Sequence, residues 1–100
     1  EHSVKVKDAG GRLFKQGRID MAMRCYQKVT DMFAYTDNLK GEVARAREVK
    51  KACALNMALC RLKRKEFDQV KQLCDAVLKD DKGNVKALYR HAQADLHLQN

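Results

Sequence analysis

The sequence predicts an all-α fold in which five helices are joined by short loops. Apolar residues recur every three or four positions along most of the 100-residue chain, which is the spacing of one face of an α-helix. No segment shows the alternation of apolar and polar residues that is typical of a strand. The chain has no proline and five glycines, so long linkers are not predicted, and short loops favour antiparallel neighbouring helices.

The first two helices are separated by Gly17. The periodicity predicts one helix from about Val4 to Gln16 and a second from near Arg18 to about Phe33. A glycine suits the end of a helix because it adopts the left-handed C-cap conformation without strain. The apolar stripes of the two helices consist of Val6, Ala9, Gly10, Leu13 and Phe14, and of Ile19, Ala22, Met23, Tyr26 and Val29.

The third helix is predicted to be the longest. Residues 36–38 are turn and N-cap material, and helical periodicity then continues to about Arg64. The pattern leaves open whether this stretch is unbroken near Gly41. Its apolar positions include Val43, Ala46, Val49, Ala52, Cys53, Leu59, Cys60 and Leu62.

The last two helices follow after short connections. Lys65 and Glu66 lead into the fourth helix, whose apolar stripe starts at Phe67. Residues 80–83 are predicted to form a loop, and Asn84 is suited to cap a final helix that continues to about Leu98.

The charge of the chain favours acidic partners. Lysine and arginine number 21 against 13 aspartates and glutamates, for a formal charge of +8. Nucleic acid, an anionic membrane surface and an acidic peptide all fit such a charge. No apolar run has the length of a membrane segment, so none is predicted. The basic run of residues 61–65 keeps a nucleic-acid site or a nuclear-localisation patch as an alternative, although no recognised nucleic-acid motif accompanies it.

Neither a metal site, a cofactor site nor a catalytic site is predicted. The four cysteines, Cys25, Cys53, Cys60 and Cys74, form no CxxC pair and fall within apolar helical pattern. They are interpreted as reduced thiols that fill a core in a reducing compartment, which indicates the cytoplasm, with the nucleus as an alternative. No nucleophile–base pair or glycine-rich phosphate loop is present, so we expect this segment not to be an enzyme.

An internal repeat is visible in the positions of small residues. Gly10, Ala58 and Ala92 occupy corresponding places, and Ala58 and Ala92 lie 34 positions apart. Nine residues after the first two, a large apolar residue follows, Ile19 or Phe67. A period of 34 residues is typical of tetratricopeptide repeats (TPR). The first two repeats are 48 positions apart, so 14 extra residues separate them. A plain helical bundle with the same stripes is the alternative.

The repeats resemble the TPR domain of the large FKBP-type immunophilins, co-chaperones of the peptidyl-prolyl isomerase family. Three segments carry the resemblance: residues 13–17 (LFKQG), 54–63 (ALNMALCRLK) and 84–94 (NVKALYRHAQA). The 14-residue extension before the second repeat is also typical of that family.

The resemblance implies about two and a half antiparallel helix-turn-helix repeats in a right-handed superhelical array. We expect the first repeat over about 3–36 and the second, with an elongated first helix, over about 38–82. The first helix of a third repeat covers about 84–99. Its apolar face then lacks a covering helix, and a dimer through this last repeat is expected. Any isomerase activity would belong to another domain.

The resemblance also implies a peptide-binding site. Family members bind the acidic C-terminal Glu-Glu-Val-Asp tail of a heat-shock chaperone, foremost heat-shock protein 90, through a clamp of cationic and amide side chains. Carried over by position, the clamp residues here are Lys7, Asn56, Lys86 and Arg90, and Gly11 stands where the family has an asparagine. Charge-assisted hydrogen bonds to two carboxylates are the chemistry of such a site.

Gly11 keeps alternatives open, because glycine removes one amide donor. Weakened binding, an altered peptide preference and compensation by Arg12 are all consistent with the sequence. A TPR scaffold that binds a different protein partner is the alternative function within the same fold.

Overall fold

The computed structural model describes residues 2–32 and 42–99, and all the elements in these ranges are helices. They are α1 (His2–Lys15), α2 (Ile19–Met32), α3 (Glu42–Lys63), α4 (Phe67–Asp80) and α5 (Val85–Gln99). The predicted all-α fold of five helices is confirmed. The turn at 36–38 and the region around Gly41 lie outside the described residues. Asp80 was wrongly assigned to a loop, since it is the last residue of α4.

The chain forms two compact units. Unit 1 comprises Glu1–Cys53 and unit 2 comprises Ala54–Asn100, so the long helix α3 contributes to both. Each unit is described by itself.

In unit 1, α1 and α2 form a closely packed hairpin. Gly10 of α1 is buried against Tyr26, which is only 2% exposed, and Ala22 and Val29 of α2 are fully buried. Small residues at a helix contact let two backbones approach each other. The predicted apolar stripe of α2 is therefore the face that packs against α1.

The hairpin turn of unit 1 confirms the predicted glycine cap. Gly17 has φ +81°. Its N–H donates to the Phe14 carbonyl at 3.0 Å, and the Arg18 N–H donates to the Leu13 carbonyl at 2.9 Å. These two bonds make a Schellman motif, which satisfies carbonyls that the end of α1 would otherwise leave unpaired.

Unit 2 is built around one apolar cluster. Val70, Cys74 and Val77 lie on one face of α4 because they are spaced by four and three residues. The buried members of the cluster are Leu55, Ala58, Val70, Cys74, Val77, Ala87 and Ala94. The alanines allow α5 to approach its neighbours closely, which fixes the position of the polar residues between them.

The start of α5 and the end of α3 in unit 2 each have a distinct local feature. The Asn84 side-chain oxygen accepts a hydrogen bond from the Ala87 N–H at 2.9 Å, so the predicted N-cap of α5 is confirmed. Lys65 follows α3 with φ 62°, a conformation that favours glycine.

The cysteines are free thiols, and three of them are core residues. Cys53, Cys60 and Cys74 are fully buried, whereas Cys25 is partly exposed. Burial raises the pKa of both Cys53 and Cys60 to about 11. Among the described residues there is no cluster of three or more side chains suited to hold a metal, and no helix has the length and apolarity to cross a membrane.

Candidate functional site

The five residues of the predicted clamp are divided between the two units. Lys7 and Gly11 lie on α1 in unit 1, and the other three lie in unit 2, with Asn56 on α3 and Lys86 and Arg90 on α5. The structure therefore describes two parts of the candidate site, and unit 2 holds the larger part. We refer to Asn56, Lys86 and Arg90 as the α3–α5 half-site.

Arg90 joins the two helices of the half-site. Its Nη1 donates to the backbone carbonyl oxygen of Leu55 at 2.7 Å, which is a short, charge-assisted bond between α5 and α3. Arg90 is half-buried, and burial lowers the pKa of its guanidinium, an effect that the nearby Cys74 partly offsets. One of the five N–H donors of the Arg90 guanidinium thus forms a hydrogen bond within the protein. Arg90 therefore has a structural role as well as a candidate binding role.

Asn56 and Lys86 have donors that no described residue of the protein uses. The Asn56 side chain is half-buried next to Leu55, yet it forms no hydrogen bond with any described residue. Lys86 is exposed and forms no ion pair within the described part of the chain. Lys86 and Arg90 are four residues apart, so their side chains emerge on the same side of α5.

Lys7 and Gly11 occupy one face of α1. Lys7 is half-buried, and its charge acts on Cys53, where it opposes the effect of burial on the pKa of that thiol. Within unit 1, Lys7 therefore lies near Cys53 of α3. A Cβ at Gly11 would meet only the Tyr26 hydroxyl, at 4.0 Å, so the position has room for a side chain.

A groove of about 520 Å³ in unit 2 continues the two helix faces of the half-site. On α5, Gln93 and His97 follow Lys86 by seven and eleven residues, a spacing that keeps them on one face. On α3, Leu59 and Lys63 follow Asn56 by three and seven residues. The groove is lined by Leu59, Leu62, Lys63, Lys65, Phe67, Gln93 and His97.

The groove has an aromatic wall and a basic rim. The rings of Phe67 and His97 stack with centroids 4.4 Å apart and an interplanar angle of 4°. Lys63 and Lys65 are exposed at its edge. Such a surface can accept an apolar side chain beside carboxylates. Lys63 and His97 were not predicted as site residues, although their helical spacing from Asn56 and Lys86 was a signal that could have found them.

The basic run of residues 61–65 is partly neutralised. Arg61 Nη1 lies 2.9 Å from Glu66 Oε1, and Arg64 Nε lies 3.4 Å from the same oxygen. Glu66 is the first residue beyond the run. Two of its four cations are therefore engaged by one carboxylate, which disfavours the run as a nucleic-acid site.

Known proteins similar to this chain include FK506-binding peptidyl-prolyl isomerases. Human peptidyl-prolyl cis-trans isomerase FKBP4 is 33% identical over 97 residues, which are 96% of this chain and 21% of that protein. FK506-binding protein 59 of Drosophila melanogaster is 37% identical over 90 residues, which are 90% of this chain and 20% of that protein. The chain thus spans about a fifth of the length of these relatives. No protein-family model matches it.

A solved structure shows the same fold. The C-terminal TPR-containing domain of a Plasmodium falciparum FK506-binding protein superposes with a TM-score of 0.86 at 30% identity, over 96% of this chain and 65% of that domain. The matched domain is the TPR-containing part of its protein. By sequence and by fold, this chain is similar to the TPR-containing domains of FKBP-type immunophilins.

Proposed function

We propose that this chain is a non-catalytic protein-interaction module that binds the acidic C-terminal tail of a heat-shock chaperone, with the Glu-Glu-Val-Asp end of heat-shock protein 90 as the first candidate. The observation that carries the proposal is the α3–α5 half-site. Asn56 and Lys86 have donors without a partner among the described residues. Lys86 lies one turn before Arg90 on α5, and Arg90 is fixed at 2.7 Å to the carbonyl of Leu55, which precedes Asn56 on α3.

The chemistry of the half-site suits a terminal aspartate, which carries two carboxylates close together. A cation on α5 and an amide on α3 can each donate to a carboxylate oxygen, and hydrogen bonds to charged groups contribute about 1.5–3 kcal/mol each. The groove beside it, with Phe67 and His97 stacked at 4.4 Å, suits the apolar side chain that precedes the terminal residue.

The binding experiment uses a fluorescent peptide that ends Met-Glu-Glu-Val-Asp, titrated with the wild-type chain. Saturable binding is expected, and the same peptide with an amidated C-terminus should bind far more weakly because one carboxylate is removed. Lys86→Ala should weaken binding by roughly ten- to hundredfold. Lys82→Ala removes another exposed lysine and serves as the matched control, which should change affinity less than twofold.

Gly11 offers a gain-of-function variant. Gly11→Asn adds the amide at a position where a Cβ meets no atom closer than the Tyr26 hydroxyl at 4.0 Å. If the clamp operates, this variant should bind the peptide more tightly, by roughly tenfold for one added hydrogen bond to a carboxylate. Gly11→Ala, which adds a Cβ but no donor, is the control. If the wild-type chain and the Gly11→Asn variant are both folded and neither binds the peptide, the proposal is contradicted.

The second candidate function is a TPR scaffold for a different protein, and Gly11 is the residue that favours it. In that case the amidated and free-acid peptides would bind equally weakly, and Lys86→Ala would not change either affinity.

Location in the cytoplasm is part of the proposal. Fluorescence microscopy of the tagged protein tests it.

The dimer predicted through the last helix stays a prediction. The exposed face of α5 carries Val85, Leu88, Tyr89 and Leu96, which are 77%, 49%, 64% and 63% exposed. Light scattering over a range of concentrations tests it, and a monomer throughout would contradict it.

A further inference from the structure

A second groove lies in unit 1, between α1 and α2, and has a volume of about 440 Å³. Its floor is apolar and half-buried, and its rim is cationic. Val6, Ala9 and Cys25 form the floor, and Lys5, Arg24 and Lys28 form the rim. A groove of this size accommodates a few residues of a peptide.

The three rim cations are not neutralised by the described part of the protein. Lys5, Arg24 and Lys28 are exposed, and none forms an ion pair with a described carboxylate. Asp8 lies only three residues from Lys5 on α1, yet no ion pair joins them. In unit 2, by contrast, Lys71 Nζ is paired with Asp95 Oδ1 at 2.8 Å. Three cations without a partner among the described carboxylates, placed around one apolar floor, attract an anionic ligand that also has apolar groups.

This groove is separate from the candidate clamp face. At 3.6 residues per turn, the direction shared by Lys5 and Ala9 differs by about 160° from that shared by Lys7 and Gly11. The two pairs therefore point to opposite sides of α1. A ligand in the groove and a peptide at Lys7 do not compete for the same surface.

We propose that the α1–α2 groove is a second docking surface, which binds an acidic protein segment that carries an apolar side chain between carboxylates. The rim cations attract the carboxylates of the segment, and the apolar floor of the groove receives its apolar side chain. The lining has no aromatic residue on which a base could stack, which disfavours single-stranded nucleic acid. An inorganic anion would leave the apolar floor uncovered. An internal segment fits, because no contact in the groove requires a free chain terminus.

The probe is a fluorescent heptapeptide, acetyl-Glu-Glu-Leu-Glu-Leu-Glu-Glu-amide, whose blocked C-terminus excludes clamp binding. We expect saturable binding to the wild-type chain. The double variant Arg24→Glu, Lys28→Glu should lose at least tenfold in affinity. The double variant Lys79→Glu, Lys82→Glu makes the same change in net charge on the surface of unit 2 and should lose less than threefold. Lys86→Ala should leave binding unchanged, so this result is distinguishable from failure of the proposed clamp.

Cys25 provides a second, local readout. It is the partly exposed thiol, whereas Cys53, Cys60 and Cys74 are fully buried, so iodoacetamide should alkylate Cys25 first. Saturating heptapeptide should slow that alkylation at least fivefold, as measured by mass spectrometry. Equal losses in the two double variants, or unchanged Cys25 alkylation at saturation, would overturn the proposal. Displacement of the peptide by polyphosphate or an oligonucleotide at equal charge concentration would also overturn it, since the groove would then be a general anion site.

Discussion

Gly10 of α1 lies directly against the ring of Tyr26 on α2: a Cβ at Gly10 would come within 2.9 Å of Cε1 and 3.0 Å of Cζ. Cys25 Cβ would be 3.2 Å away on the same side. Because Tyr26 is only 2% exposed, its ring has little room to move. The absence of a side chain at Gly10 is therefore what allows the two helices to pack at this distance.

We expect Gly10→Ala to lower the free energy of unfolding by about 1–3 kcal/mol, because the added methyl group overpacks a closed contact. The neighbouring substitution Gly11→Ala is the matched control. It meets only the Tyr26 hydroxyl at 4.0 Å, so it should raise the free energy of unfolding by about 0.5–1 kcal/mol through helix propensity. Urea denaturation of both variants measures the difference. A change of the same sign at both positions would contradict the packing role of Gly10.

The ends of α1 and α3 have the same backbone geometry but different residues. The Lys65 N–H donates to the Leu62 carbonyl at 3.1 Å, and the Glu66 N–H donates to the Arg61 carbonyl at 2.9 Å, which repeats the bonds around Gly17. Lys65 therefore occupies the glycine position of a Schellman motif with φ 62°. A lysine in this conformation carries strain that glycine does not.

Lys65→Gly should raise the free energy of unfolding by about 0.5–1 kcal/mol, since relief of the left-handed strain outweighs the greater chain entropy of glycine. The reciprocal control is Gly17→Ala, which should lower it by about 1 kcal/mol because alanine disfavours positive φ. Thermal and urea denaturation measure both. If Lys65→Gly destabilised the chain as Gly17→Ala does, the strain at Lys65 would be refuted.

These contacts show what the sequence could and could not predict. Gly17 was found because a glycine after an amphipathic run signals a helix end, and Asn84 was found because its side chain signals an N-cap. Lys65 gave no such signal, since lysine is not typical of positive φ. Gly10 and Gly11 differ already in sequence, since Gly10 falls on the apolar stripe of the first helix and at the small-residue position of the repeat, whereas its distance from the Tyr26 ring depends on tertiary packing. The bond from Arg90 to Leu55 joins residues 35 positions apart and depends on tertiary packing.

An ion-pair network between α4 and α5 should give the chain a defined response to acid. Lys71 Nζ lies 2.8 Å from Asp95 Oδ1, and His91 Nδ1 lies 3.1 Å from Asp95 Oδ2, while His91 Nε2 lies 3.0 Å from Asp75 Oδ1. The hydrogen bond from Lys71 is the main cause that lowers the pKa of Asp95, and the same pair raises the pKa of Lys71.

The sign of the pH dependence follows from these directions. A carboxyl whose pKa is lowered on folding stabilises the protein above its unfolded pKa, about 3.9, and loses that contribution as the pH falls through the folded value. Asp95→Asn should therefore lower Tm at pH 7 and have little effect near pH 2. Asp80→Asn, which removes an exposed carboxylate at the end of α4, is the control and should change Tm little at either pH. Equal Tm shifts of Asp95→Asn at both pH values would contradict this role of the carboxylate.

Arg90 should be as important for stability as for binding, because its guanidinium connects α5 to the Leu55 carbonyl at 2.7 Å. We expect Arg90→Met, which keeps the apolar stem, to lower the free energy of unfolding by about 1.5–3 kcal/mol through loss of a charge-assisted hydrogen bond. Lys86→Met is the matched control. Lys86 is exposed and has no protein partner among the described residues, so its replacement should change stability by less than about 0.5 kcal/mol. Urea denaturation of both variants measures the change in stability, and peptide titration measures the change in affinity. Weaker peptide binding by Lys86→Met reports on recognition alone. Weaker binding by Arg90→Met also includes the loosened contact between α5 and α3. An Arg90→Met variant as stable as the wild type would show that the bond to Leu55 contributes little.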